Sequence, residues 1–233
     1  MKDFSNRYIM VFSVVMVVSV AILLSLTALL LQPKQQKNLE VEKKMSILSS
    51  MNVTSTKSDA VELYDKHIKE SYVVDIEGNR MEGIDAFTVD LREEQKKPLA
   101  EQCLPVFISV TDSGDTLHII PLEGKGLWGP IWGYVSLEED LSTIAGVTFD
   151  HKGETPGLGA EISTTPFESQ FHDKRIFRDG QFVGIKVVKG GADPQSLYEV
   201  DAISGGTITS KGLEAMVHDG LIKYDKYFSQ NRK

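Results

Sequence analysis

The chain is poor in the residues that build covalent and metal-held frameworks. Cys103 is its one cysteine, so no intramolecular disulfide, cysteine-rich zinc site or iron–sulfur cluster can form. The five histidines, His67, His118, His151, His172 and His218, are scattered with no i, i+4 or chelating spacing, which argues against a histidine metal site. Positive charge is outweighed, 25 Lys and Arg against 33 Asp and Glu. The formal net charge is −8, with +1 from the first 31 residues and −9 from the remainder. A surface of that sign does not suit a phosphate backbone, so no nucleic-acid partner is expected. Two enzyme signatures are missing as well. Lys211 follows Ser210 where a P-loop requires glycine, and no G-x-S-x-G occurs. Internal repeats and low-complexity tracts are absent.

What is present begins with a long apolar run. Tyr8 to Leu31, "YIMVFSVVMVVSVAILLSLTALLL", holds no charged residue. As a helix it is ~36 Å long, enough to cross a hydrocarbon layer with some tilt. The run is too long for a cleaved signal peptide, and Leu26-Thr27-Ala28 lacks a small residue at the −3 position. Ser13, Ser19, Ser25 and Thr27 form no polar face, so the run reads as a retained single span. The expected division is a tail over 1–7, a transmembrane helix over 8–31, a stalk over 32–55 and one domain over 56–233. Lys34, Lys37, Lys43 and Lys44 follow the span, against Lys2 and Arg7 before it. That count leans towards a cytoplasmic domain, whereas an N-terminal span commonly acts as an uncleaved export signal.

With 41% hydrophobic composition in 233 residues, one good-sized core is expected beyond the span. Ala60, Leu63, Tyr64, His67 and Ile68 share one helical face, with Ser58 or Thr56 as cap. "IDAFTVDLREEQKKPLAE" is ambiguous between helix and loop. "LPVFISV" and "TLHIIPL" read as strands around the loop Thr111 to Asp115, and "IWGYVSL" and "STIAGVTFD" as a second pair. "AEISTTPFESQF" looks helical, "FVGIKVVKG" and "LYEVD" look like strands, and the last helix starts near Thr207. Leu213, Met216, Val217, Leu221 and Tyr224 give that helix one apolar face. The sum is an α+β domain, a twisted antiparallel sheet with flanking helices.

Three glycine loops invite a ligand. "GKGLWGPIWGY", Gly124 to Tyr134, holds both tryptophans, which either cap the core or form an aromatic wall. "HKGETPGLGAE", His151 to Glu161, lets backbone approach a ligand closely, and Glu154 and Thr155 add a carboxylate and a hydroxyl. It serves equally as a solvated turn. "SGGTITSKG", Ser204 to Gly212, places Ser204, Thr207, Thr209 and Ser210 at a helix start. A helix N-terminus stabilises a phosphate through unpaired N–H groups. Thr207 as a simple N-cap explains one hydroxyl and leaves the second threonine unexplained.

Together the motifs carry a family resemblance. "SGGTIT", Ser204 to Thr209, resembles the S/T-G-A-T-x-T signature at which flavin mononucleotide (FMN) is attached through its phosphate to the last threonine. "GKGLW", "GETPGLG" and "VVKGG" follow the order and spacing of the C subunit of the sodium-translocating NADH:quinone oxidoreductase. Gly206 departs from the motif's alanine. The resemblance covers nearly the whole chain and implies that Thr209 is the FMN acceptor, modified by a separate flavin transferase. No histidine or carboxylate lies within the motif to activate it. It implies that Thr207, Ser204, Gly205, Gly206 and the helix start hold the phosphate, with Lys211 a weaker charge partner. Gly157, Leu158 and Gly159 would line the ring, Glu154 and Thr155 would bond the ring or ribityl chain, and Trp128 would flank it. The implied function is an electron relay from NADH towards quinone, inactive alone, assembled with other membrane subunits. Its domain would face the extracytoplasmic side of the bacterial inner membrane. The related G subunit of the complex coupling ferredoxin to NAD shares the threonine motif, though "GKGLWGP" favours the quinone enzyme. A membrane-anchored assembly domain with purely structural glycine loops is the rival class.

Overall fold

The computed structural model describes residues 5–111 and 114–232, so residues 1–4 of the expected tail and Asp112 and Ser113 of the expected hairpin loop lie outside it. The first compact unit ends at Lys43. It is the greater part of helix α1 (Asn6–Ser50), which continues through Pro33. Among the described residues it is the one helix long and apolar enough to cross a membrane.

The second unit begins at Lys44. It holds the last turns of α1, α2 (Ala60–His67), β1 (Ile68–Val74), β2 (Arg80–Met81), α3 (Leu91–Glu94), β3 (Leu104–Val110), β4 (Thr116–Lys125), β5 (Pro130–Leu137) and β6 (Ile144–His151). These are followed by α4 (Thr165–Glu168), β7 (Phe177–Arg178), β8 (Gln181–Phe182), β9 (Lys186–Val188), β10 (Glu199–Asp201), α5 (Thr207–Leu221) and α6 (Asp225–Asn231). Six strands form one sheet in the order β2-β1-β3-β4-β5-β6, and every pairing in it is antiparallel.

Side chains alternate across a strand, and here both faces are covered. Leu104 and Val106 of β3, Ile120 and Leu122 of β4, and Ile131 and Val135 of β5 enter one core with Leu213, Met216, Val217 and Leu221 of α5. Phe107, Leu117, Ile119 and Tyr134 enter the other with Ile47 and Leu48 at the end of α1. Each fully buried aliphatic or aromatic side chain contributes about 1.5–3 kcal/mol. The end of α1 is keyed into this layer. Ser50 Oγ lies 2.9 Å from Ser136 Oγ, and Asn52 Nδ2 donates to Ala145 O at 3.0 Å. A Cβ on Gly146 would fall 2.5 Å from Ser50 O.

Several local expectations are corrected. Ile68 opens β1 rather than continuing α2, because the strand "IKESYVV" pairs along its length with β3. The N-cap of α2 is Asp59, and neither Ser58 nor Thr56 caps it; Asp59 Oδ1 instead accepts from Thr56 N at 2.6 Å. The ambiguous stretch yields only the four-residue α3, capped by Asp90 Oδ1. "AEISTTPFESQF" breaks into two 3-10 turns around α4, with Thr164 extended ahead of Pro166. β9 and β10 leave the main sheet and pair in parallel.

Candidate functional site

The three glycine loops meet at the first turn of α5. Residues 126–129 close the β4–β5 hairpin, where Gly126 N donates to Gly129 O at 2.8 Å. Residues 152–159 leave β6, and residues 203–206 turn into α5, with Gly205 at φ +75° and Gly206 N donating to Ile203 O at 3.0 Å. Their closeness is measured by the space a methyl would need. A Cβ on Gly126 would sit 2.5 Å from Glu154 Oε1; one on Gly159 would sit 2.5 Å from both Glu154 Oε2 and Thr209 Oγ1. A Cβ on Gly205 would meet Leu158 Cδ2 at 2.5 Å, and one on Gly212 would meet Lys125 O at 2.2 Å. Real Cβ atoms do not approach this closely; at Gly212 the obstacle is backbone, whereas at Gly126, Gly159 and Gly205 it is a side chain from a neighbouring segment.

At the centre lies a carboxylate. Glu154 is 4% exposed. Its Oε1 accepts from Trp128 N at 2.8 Å, and its Oε2 accepts from Thr209 Oγ1 at 2.6 Å. Thr209 is 1% exposed. Its place follows from helix period: Thr209 and Ser210 stand with Leu213, Met216, Val217 and Leu221 in the buried stripe of α5. The apolar face assigned from Leu213 onward extends one turn back to Thr209, and that extension was legible from spacing alone. Thr207 does not cap the helix. The N-cap is Gly206, which provides no side-chain bond, and Thr207 is the first helical residue. Ser210 closes the turn instead, its Oγ accepting from Ile203 N at 3.1 Å. Ahead of the first intrahelical bond, Ser210 N to Gly206 O at 2.8 Å, the N–H groups of Thr207, Ile208 and Thr209 form the polar end of the helix.

The other predicted residues divide between this centre and its rim. Gly159 and Gly206 are buried, whereas Ser204, Gly205, Thr155, Gly157 and Leu158 are exposed around it. Gly157 N is already held by Glu161 Oε1 at 2.9 Å, and Thr155 O accepts from the N–H groups of Leu158 and Ala160. Lys211 is exposed; two residues along a helix, it points about 200° away from Thr209. Trp128 does not cap the core. It is 69% exposed, and Leu127, Leu158 and Ile208 on the same loops and helix start are exposed apolar residues as well. The place of the motif's alanine methyl is taken by Ile203, whose Cγ2 would lie 2.9 Å from a Cβ on Gly206. Two contributors escaped sequence reasoning: the amide of Trp128, because a backbone donor leaves no trace in residue type, and Gly212, whose need for space comes from a strand 87 residues earlier.

Residues 126–222, the span of all three loops and α5, match the FMN-binding domain family. Over 200 residues the chain is 34% identical to the C subunit of the Na(+)-translocating NADH-quinone reductase of Vibrio anguillarum, covering 79% of this chain and 78% of that one. The corresponding C subunit of Pseudomonas aeruginosa is 30% identical over 228 residues, 87% of each. The crystal structure of the C subunit from Parabacteroides distasonis superposes with a TM-score of 0.79 at 43% identity, covering 85% of this chain and 97% of that one. That of Shewanella oneidensis gives 0.71 at 27% identity, covering 82% and 96%. With its sheet, its glycine loops and most of its length shared in this way, the chain belongs to the family of C subunits of the Na(+)-translocating NADH-quinone reductases.

Proposed function

We propose that this chain is the flavin-carrying electron relay of a sodium-translocating NADH:quinone reductase, with FMN esterified through its phosphate to Thr209. The observation that carries the reading is the convergence of three glycine loops on that one hydroxyl. The residues present fit the group. The helix start offers N–H donors to a phosphate, and the exposed apolar side chains of Trp128, Leu158 and Ile208 suit the face of a flat ring. The exposed loop 155–158 leaves backbone within reach. When bound, the flavin supplies a ring that takes up and releases electrons. The chain's own work is to hold that ring in place. A tether replaces a dissociation equilibrium with a permanent local concentration, which a relay moving between donor and acceptor requires.

In this reading Thr207, Ser204, Gly205 and Gly206 hold the phosphate. Thr155, Gly157, Leu158, Gly159 and Trp128 border the ring, and Lys211 supplies only diffuse positive charge from the exposed helix face. Residues 8–31 cross the bacterial inner membrane once, preceded by the short tail 1–7. Residues 32–55 lead from it, with Ile47 and Leu48 locking the end of that stretch into the core, and 56–233 carry the flavin on the extracytoplasmic side. Partner subunits deliver and remove electrons, and a flavin transferase makes the bond. The test is direct. Co-expressed with the transferase, the denatured chain should fluoresce as a flavin band on a gel, and peptide mass mapping should place the adduct on Thr209. Thr209→Ala should abolish both with the fold intact. A dark wild-type band, or an adduct on Thr207, would refute the assignment.

A further inference from the structure

The flavin acceptor motif contains no acid or base, yet the fold brings one to it. We propose that Glu154 is the general base for its own chain's modification, accepting the Thr209 proton as the phosphoester forms; this rests on the reading of Thr209 as the acceptor. Three observations carry it. The Thr209 Oγ1 to Glu154 Oε2 separation is 2.6 Å, the short range of a hydroxyl donating to a charged acceptor. The carboxylate is anchored independently of the loop that carries it, since Oε1 accepts from Trp128 N on the β4–β5 hairpin. Finally, Gly126 and Gly159 leave only enough room for those two oxygens, so Oε2 has one orientation.

A phosphate monoester is not activated towards an alcohol, so the donor must be a flavin phosphoanhydride, a flavin dinucleotide. Thr209 Oγ bonds to the flavin-bearing phosphorus, and the anhydride P–O bond breaks with its electron pair leaving on the nucleoside monophosphate. The hydroxyl proton passes to Glu154 Oε2, and no electrons are gained or lost. With Thr209 only 1% exposed, the phosphorus reaches Oγ1 when the exposed segment 155–158 lifts. The Trp128 anchor keeps Glu154 in place while it does. General-base help of this kind is worth about 10²–10⁴-fold.

The charged or titratable groups on the segments packed around Glu154 are Lys125, His151, Lys152, Glu161 and Lys211. Among the described residues no ion pair reaches Glu154. His151 Nδ1 accepts from the Glu154 backbone N at 3.1 Å.

The test uses the full chain in detergent with flavin transferase and flavin adenine dinucleotide, and reads the rate of flavin incorporation by in-gel fluorescence. Glu154→Gln preserves an oxygen for Trp128 N and loses the base. It should slow incorporation about 100-fold, and Glu154→Asp, which keeps the charge, should fall between it and the wild type. A Glu154→Gln rate equal to or above wild type, or a Glu154→Asp rate no better than that of Glu154→Gln, overturns the proposal while leaving Thr209 as acceptor. An unmodified wild-type Thr209 peptide would instead remove the reading beneath it.

Discussion

Two glycine-rich regions of this molecule look alike in the sequence and behave differently in space. Around the start of α5, methyls on Gly126, Gly159, Gly205 and Gly212 would collide with atoms 2.2–2.5 Å away. In the segment Lys189–Gly191, Gly190 and Gly191 have φ of +91° and +111°, and nothing lies within 4 Å of where a Cβ would go. In the first set the space is already taken by atoms of neighbouring segments, and Gly205 has a left-handed backbone as well. The second is glycine because the backbone turns in a left-handed sense over solvent. Both stretches belong to the motif pattern of the family, yet only one of them builds a site.

The largest effect that tests this contrast is at Gly212. Helix propensity alone makes Gly212→Ala stabilising by about 1 kcal/mol. The Lys125 carbonyl 2.2 Å from the new methyl is backbone and cannot step aside. We expect a net loss of about 3 kcal/mol, as for an overpacked core, read as a lowered thermal midpoint; a raised midpoint would mean that the helix start is not tightly seated. Gly126→Ala comes next. Its methyl displaces Glu154 Oε1, so flavin incorporation should slow at least about tenfold if the carboxylate contributes as a base. Gly153→Ala, with open space around it, should leave the rate unchanged. Gly190→Ala should cost about 1–2 kcal/mol through its left-handed backbone alone, with no effect on incorporation.

The smallest effect concerns a second carboxylate. Glu168 Oε1 accepts from Phe149 N at 2.7 Å, and burial is the main cause that pushes its pKa above the ordinary value, with Asp150 adding to it. A folded pKa above the unfolded one gives stability that is full below the unfolded value and lost as pH rises through the folded one. Glu168→Gln removes that loss. Its thermal midpoint should therefore gain on wild type as pH rises from about 4 towards 7, with flavin incorporation unaltered. A gain on acidification would contradict the sign.

Much of the architecture was legible because periodicity survives in the chain. The alternation in β3, β4 and β5 and the 3–4 spacing in α5 are local patterns set by which face is buried. Where those patterns were weak the reading slipped. β1, "IKESYVV", carries a charged half with no alternation, and only its pairing with β3 makes it a strand. β9 and β10 were legible as strands, but not as a separate parallel pair, because a partner thirteen residues later is a matter of chain path. The site was legible as three loops and a hydroxyl cluster. Extending the stripe of α5 by a turn brings both Thr209 and Ser210 inward, and only their partners, Glu154 Oε2 and Ile203 N, tell them apart.

The sequence by itself determined the apolar run of Tyr8 to Leu31, the helix and strand periods, the glycines and the threonine motif. Each is carried by neighbours along the chain and needs no distant partner. Only the tertiary structure decided that Glu154, 55 residues before Thr209, would be its hydrogen-bond partner, and that a methyl on Gly126 or Gly212 would meet atoms of another segment. Hydrogen bonds and excluded volume act over a few ångströms of space, and folding alone brings those atoms within that range.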